Sequence, residues 1–300
     1  MQRPTFSYAD FHVDTLSSAE NLPLFIDDPS LMMPLSSLRA YQRALIYFAV
    51  FTPRSVSDDE GYLRFHKLVA KMRRIRLPEN ILPILTIEDA RILGSDENTA
   101  VERLQCVYVH GVRLLTPVWC GESVLGGAHD TDVGLSALGA AIVRNAAKMG
   151  ILIDVSHAST ETTEAIISIL NELSFPVVAT HSNAFSLCSH TRNLRDAYFD
   201  AIVASGGIVG INLYSPFLSE HPATLTDVLR HVEYFCARGG EKSVAIGSDF
   251  DGASFYPCGI SGVADMVRLY EEMLKHNYSE STVKAIFYDN LKNFTDRYVL

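Results

Sequence analysis

Two short apolar segments of this chain run straight into a histidine. Ile151 to Val155 leads to His157, and Val177 to Thr180 leads to His181. A third pairing stands near the start, in Asp10-Phe11-His12-Val13-Asp14-Thr15, where His12 and Asp14 lie two residues apart. In an extended segment that spacing puts both side chains on one face. Imidazole and carboxylate so placed can share a borderline divalent cation such as zinc. Glu88 follows the apolar run Asn80–Ile87, and Asp249 follows Val244-Ala245-Ile246-Gly247. Three imidazoles and three carboxylates are too many for one tetrahedral zinc. They suit two metals that share a water or hydroxide, whose pKa falls from 15.7 towards ~7. Glu88 is the natural bridge, because a carboxylate offers two oxygens where an imidazole offers one lone pair. Asp249 would hydrogen-bond the hydroxide and carry its proton to the leaving group.

Such a set assembles only if distant segments end at one place. Between the two histidine segments, Ala165, Ile166, Ile169, Leu170 and Leu173 recur at helical spacing. Strand, crossover helix and strand in one sheet must be parallel and right-handed, so both histidines emerge at the same edge. In parallel α/β folds that C-terminal edge carries ligands and catalysis. Further strands are expected at 43–51, 80–87, 111–116, 208–213 and 244–247, with Pro83 an irregularity inside the second of these. Helices are expected at 58–75, 99–110, 135–149, 160–173, 196–204 and 225–237, and two more at 263–275 and 279–287. A long loop at 117–133 carries the only tryptophan, Trp119. With the first strand at 10–15, eight βα units in 300 residues specify a single (β/α)8 barrel, an α/β fold of one domain spanning 1–300, better than a doubly wound sheet. His66, His110, His231 and His276 fall in helical patterns and suit ordinary packing or surface roles; His129, His190 and His221 are loop residues without an assigned role.

The net charge of −10 argues against a nucleic-acid surface and against an anionic membrane. No apolar run reaches transmembrane length, and the first ten residues lack the apolar core of a secretory signal. The five cysteines form no CxxC pair and read as reduced thiols, which suits a cytoplasmic protein.

Several blocks resemble the membrane (renal) dipeptidase family and its bacterial members, within the metal-dependent amidohydrolase superfamily. They are Phe-His-Val-Asp-Thr, Ile87-Glu88, Gly-Val-Arg-Leu-Leu-Thr, Gly-Leu-Ser-Ala-Leu-Gly, Ile-Asp-Val-Ser-His, Thr-His-Ser-Asn-Ala, Arg192-Asn193-Leu194, Gly-Ile-Val-Gly-Ile-Asn-Leu-Tyr and Gly-Ser-Asp-Phe-Asp-Gly. They run in family order from residue 10 to residue 252. The resemblance implies two zinc ions, one on His12 and Asp14 and one on His157 and His181, bridged by Glu88. It implies Asp249 as the acid/base and Arg192 gripping the C-terminal carboxylate of a dipeptide, with Trp119 and Tyr214 also at the substrate. The family habit suggests a homodimer. Two departures stand out. Trp119 occupies the place of a fourth-strand histidine that polarises the scissile carbonyl in the renal type, and Asp89 follows Glu88 where relatives often carry glycine. The activity expected is dipeptide hydrolysis; the alternatives are another amidohydrolase-type reaction on an N-acyl amino acid, cyclic amide or ester, or a catalytically impaired metal-binding relative.

Overall fold

The structure is a computed structural model that describes residues 6–300; the first five residues, part of the stretch read for a secretory signal, lie outside it. Strands β1 (Tyr8–Val13), β2 (Ala44–Phe51), β3 (Ile81–Glu88), β4 (Val112–Thr116), β5 (Leu152–Asp154) and β6 (Val177–Val178) pair in sequence order, all parallel. Strands β7 (Val209–Ile211) and β8 (Val244–Ile246) form a second parallel pair. The bridge Ala179↔Val209 joins β6 to β7, and Val13↔Phe250 joins β8 back to β1. The ring closes, and the expected (β/α)8 barrel is the fold.

Side chains alternate across each strand, so one set fills the barrel and the other meets the helices. Phe11, Leu45, Tyr47, Ile84, Leu114 and Leu152 belong to the inner set and are buried together. Helices Asp58–Met72, Ala137–Lys148 and Thr160–Glu172 each start on a serine whose hydroxyl accepts a backbone N–H three residues on, the usual N-cap device. Pro83 is tolerated because β4 begins only opposite Leu85, leaving no ladder partner for it on that side.

Two expectations need correction. The ladders of β5 to β8 are only two or three residues long, shorter than the apolar runs suggest. Past each ladder the backbone is held by side chains instead: Asp154 Oδ1 accepts from Ser156 N and Thr180 N, both at 2.9 Å, and Asn183 Oδ1 accepts from Asn212 N at 3.0 Å. The tail does not stop at Phe287 either. After Glu280–Lys284 and a wide turn at Ala285–Asp289, a further helix runs from Asn290 to Tyr298.

Candidate metal centre

One extra residue in β1 builds the first part of the site. Asp10 pairs with Ile46 and Val13 with Phe48, three steps against two. A bulge of this kind re-aims side chains. Phe11 points into the core, edge-on to Tyr47 at 4.7 Å, and the next residue, His12, also turns inward. Its Nε2 lies 3.4 Å from Asp14 Oδ2 and 3.5 Å from Glu88 Oε2. Asp10, buried beneath, pins the bulge by accepting from Ser248 N at 2.8 Å and from Tyr8 Oη at 2.5 Å.

Glu88 ends β3 and divides its two oxygens. Oε2 faces His12, while Oε1 lies 2.9 Å from His157 Nε2 and 3.7 Å from His181 Nε2. The hydrogen bonds behind the rings settle their tautomers. His157 Nδ1 donates to the Trp119 carbonyl at 2.9 Å. Thr180 gives its only hydroxyl hydrogen to Asp154 Oδ2 at 2.6 Å, so its oxygen accepts from His181 Nδ1 at 2.7 Å. Each ring therefore turns an Nε2 lone pair towards Glu88, and the two nitrogens stand 2.8 Å apart. Lone pairs at that distance repel unless an electrophile lies between them. His12 Nε2 and Asp14 Oδ1 are buried without a hydrogen-bond partner among the described residues, which the cation-ligating reading also explains.

The electrostatics fit a cation as well. Burial would lower the His12 pKa, yet Glu88 and Asp14 push it well above the usual value. Burial, reinforced by the positive charge of Arg192, holds His157 and His181 well below theirs. Burial raises Glu88 to about 7 and Asp249 to about 6, with Asp14 adding to both. Ligand atoms of Glu88, His157 and His181 lie within 4.8 Å of one another, as do those of His12, Asp14 and Asp249. A third grouping, His12, Asp154 and His181, satisfies the same distance, but donors from Thr116, Ser156 and Thr180 already fill both Asp154 oxygens.

The centre opens into a cavity of about 570 Å³. Asp249 reaches it in a left-handed backbone conformation (φ 61°), its Oδ2 accepting from Asn212 Nδ2 at 3.2 Å. Arg192 also lines it, only 4% exposed, and its Nε and Nη2 have no partner among the described residues. Burial lowers its pKa to about 10 despite Asp249 and Glu88 nearby. Tyr214 packs edge-on to Phe217 at 4.8 Å, and Trp119 packs on Phe51 at 4.8 Å. Every site residue expected from sequence thus meets at one mouth, although Trp119 touches His157 through its backbone carbonyl. Sequence reasoning missed Asp10, Asn212, the Asp154–Thr180 pair and two imidazoles, His129 and His190, which also line the cavity. Burial pushes the His129 pKa down to about 4. An acidic residue inside an apolar strand, as in Ile-Asp-Val, was the one available signal for Asp154.

A closed parallel barrel with histidines and carboxylates converging at its C-terminal mouth defines a metal-dependent hydrolase of the amidohydrolase type. Residues 17–296 match the family described as Membrane dipeptidase (Peptidase family M19), and the chain belongs to that family. It is 32% identical over 248 residues to an uncharacterised Klebsiella pneumoniae protein from the pqqA 5′ region, covering 78% of this chain and 89% of that one. It is 36% identical over 149 residues to the dipeptidase aclJ of Aspergillus oryzae, where the match spans 49% of this chain and 35% of the fungal protein. Among solved structures, the metallopeptidase called dipeptidase AC superposes with a TM-score of 0.84 at 25% identity, covering 98% of this chain and 99% of that one.

Proposed function

We propose that this protein is a di-zinc dipeptidase that cleaves the peptide bond of free dipeptides. One observation carries the reading: the cavity that holds the divided donor set also holds a buried guanidinium with two unpartnered nitrogens. A buried, unpaired charge of this kind is costly unless an anion meets it. A carboxylate does so with two parallel hydrogen bonds. His12 and Asp14 would hold one zinc, His157 and His181 the other, with one Glu88 oxygen directed to each; the mixed nitrogen and oxygen donors suit zinc. Bound zinc supplies Lewis-acid polarisation and an acidified water.

The chain's own groups do the rest. Arg192 anchors the terminal carboxylate, Tyr214 and Trp119 wall the substrate, and Glu88 would be kept ionised by the bound cations. Asp249, steadied by Asn212, takes a proton from the attacking water. It returns that proton to the amine nitrogen as the C–N bond breaks, so one water is consumed and two amino acids leave. Unpaired cysteines throughout support a cytoplasmic setting, and we take residues 1–300 as one domain.

Metal analysis combined with hydrolysis assays tests this. About two zinc ions per chain are expected on reconstitution, with turnover lost on chelation and restored by zinc. Carboxyl-amidated dipeptides should turn over at least ~100-fold more slowly, since a charge-assisted pair of bonds is removed. Protein that stays metal-free in excess zinc would sink the proposal, and equal turnover of amidated substrates would remove Arg192 from it.

A further inference from the structure

The loop after β4 is folded back on itself and onto the end of β5. Glu122 bridges to Gly127, Gly126 to Leu135, and Ala128 to Ala158. The last of these delivers His129 to the cavity. Its backbone N–H donates to the His157 carbonyl at 2.6 Å, and the two ring centroids lie 6.1 Å apart. Its Nδ1 lies 2.9 Å from Thr191 Oγ1. The backbone of His129 is therefore tied to a candidate metal ligand, and its ring to the residue next to Arg192. Its Nε2 has no protein partner among the described residues, and the ring lines the cavity.

On the dipeptidase reading, which this inference rests on, the substrate has two fixed points. Its scissile carbonyl faces the metal donors and its carboxylate meets Arg192. In a dipeptide those two carbons are one residue apart, under about 4 Å. The scissile amide must then lie across the interval between His157 and Arg192, which is the interval His129 borders. Arg192 is committed to the carboxylate, and Trp119 packs on Phe51 at the β2 end of the mouth. We propose that His129 is a catalytic residue. With the Thr191 hydroxyl donating to Nδ1, Nε2–H donates a hydrogen bond to the scissile carbonyl oxygen and strengthens it as that oxygen becomes the tetrahedral oxyanion. No proton changes hands; the imidazole stays neutral throughout.

The test compares the zinc-loaded parent with His129→Ala and His129→Gln. Removal of one oxyanion donor lowers kcat by roughly 10²–10³-fold. His129→Ala should show such a loss, with KM within about threefold and zinc content unchanged. A phosphinate dipeptide mimic carries tetrahedral oxygens, so calorimetry should find it bound to His129→Ala roughly 100-fold more weakly. His129→Gln, whose amide can donate in the same place, should recover at least about a tenth of the parental kcat. Parental kcat and phosphinate affinity in His129→Ala would overturn the assignment, as would a loss confined to KM. A parent that neither cleaves dipeptides nor binds the phosphinate would instead break the dipeptidase reading, and the assignment with it.

Discussion

Thr180 ties two rings of the centre to one carboxylate. Its oxygen sits 2.7 Å from His181 Nδ1 and 3.4 Å from His12 Nδ1, while its hydrogen goes to Asp154. Orientation behind a ligand is as much a part of a metal site as the ligand. The opposite wall depends on a missing side chain. A Cβ on Gly252 would stand 2.2 Å from Asp14 Oδ2 and 2.5 Å from Asp249 Oδ1. Both carboxylates are confined, so neither can step aside without changing the centre. Gly252→Ala is expected to weaken zinc binding by at least ~10-fold, the scale seen when groups around a metal are disturbed, with the thermal midpoint of the metal-free protein within a few degrees of the parent. Unchanged zinc affinity by competition titration would refute that reading. Glu88, His157, His181 and Asp249 stood out because each follows an apolar run to a strand's C-terminal end, and His12 with Asp14 because of their two-residue spacing. Asp154 and Thr180 did not, because their meaning lies in contacts with each other and with Thr116 and His12, set by barrel closure rather than by spacing.

At the scale of elements, most strands and helices follow from periodicity, and the β1 bulge does not. Alternation alone puts Phe11 and His12 on opposite faces, whereas the extra residue sends one into the core and the other into the site. Asp89 shows the same limit. It sits in a left-handed conformation (φ 66°), and its carboxylate is met by Arg91 Nε at 3.0 Å, so an ion pair holds a turn that glycine would adopt freely. His231, expected in a packing or surface role, packs: its Nδ1 accepts from Ala184 N and its Nε2 donates to the Leu218 carbonyl, both at 3.0 Å. It ties helix Leu225–Phe235 to the segment leading to Arg192. Burial holds its pKa below the ordinary value. The neutral ring is then compatible with the fold above the unfolded pKa of about 6.5. As the pH falls through that value the unfolded chain takes up a proton the folded one refuses, and stability drops by at most about 1.4 kcal/mol per pH unit until the folded pKa is reached. His231→Gln keeps one donor and one acceptor but cannot titrate. Urea midpoints measured from pH 7.5 to 5.5 should fall less steeply in the variant, at equal metal loading. Identical slopes would show that His231 does not contribute to the acid sensitivity.

The whole molecule separates its working end from its support. The mouth is polar and crowded with charge, so it contributes little apolar burial, and the opposite end of the barrel has to be closed by something else. The final helix, Asn290–Tyr298, does this. Leu291 and Phe294 join the inner apolar set with Phe11 and Tyr47. Tyr47 Oη and Thr295 Oγ1 share a hydrogen bond of 2.8 Å, and Asn290 Nδ2 donates to the carbonyls of Glu241 and Val244 at 2.8 Å each. Asn290, Asn293, Thr295 and Asp296 are weak helix formers, which is why the sequence pattern fades at Phe287; tertiary burial, not propensity, keeps the helix. Deleting the Phe294 ring should therefore leave a cavity beneath the barrel and cost about 3 kcal/mol, the lower part of the range for Phe→Ala. The centre lies at the other end of the strands, so Phe294→Ala should bind as much added metal as the parent, and its kcat at 20 °C should stay within about twofold of the parent. Urea unfolding and steady-state assays on one preparation check both halves. A stability loss below ~1 kcal/mol would mean the last helix merely rests against the barrel, and a fall in kcat without one would mean that floor and mouth are coupled through the strands.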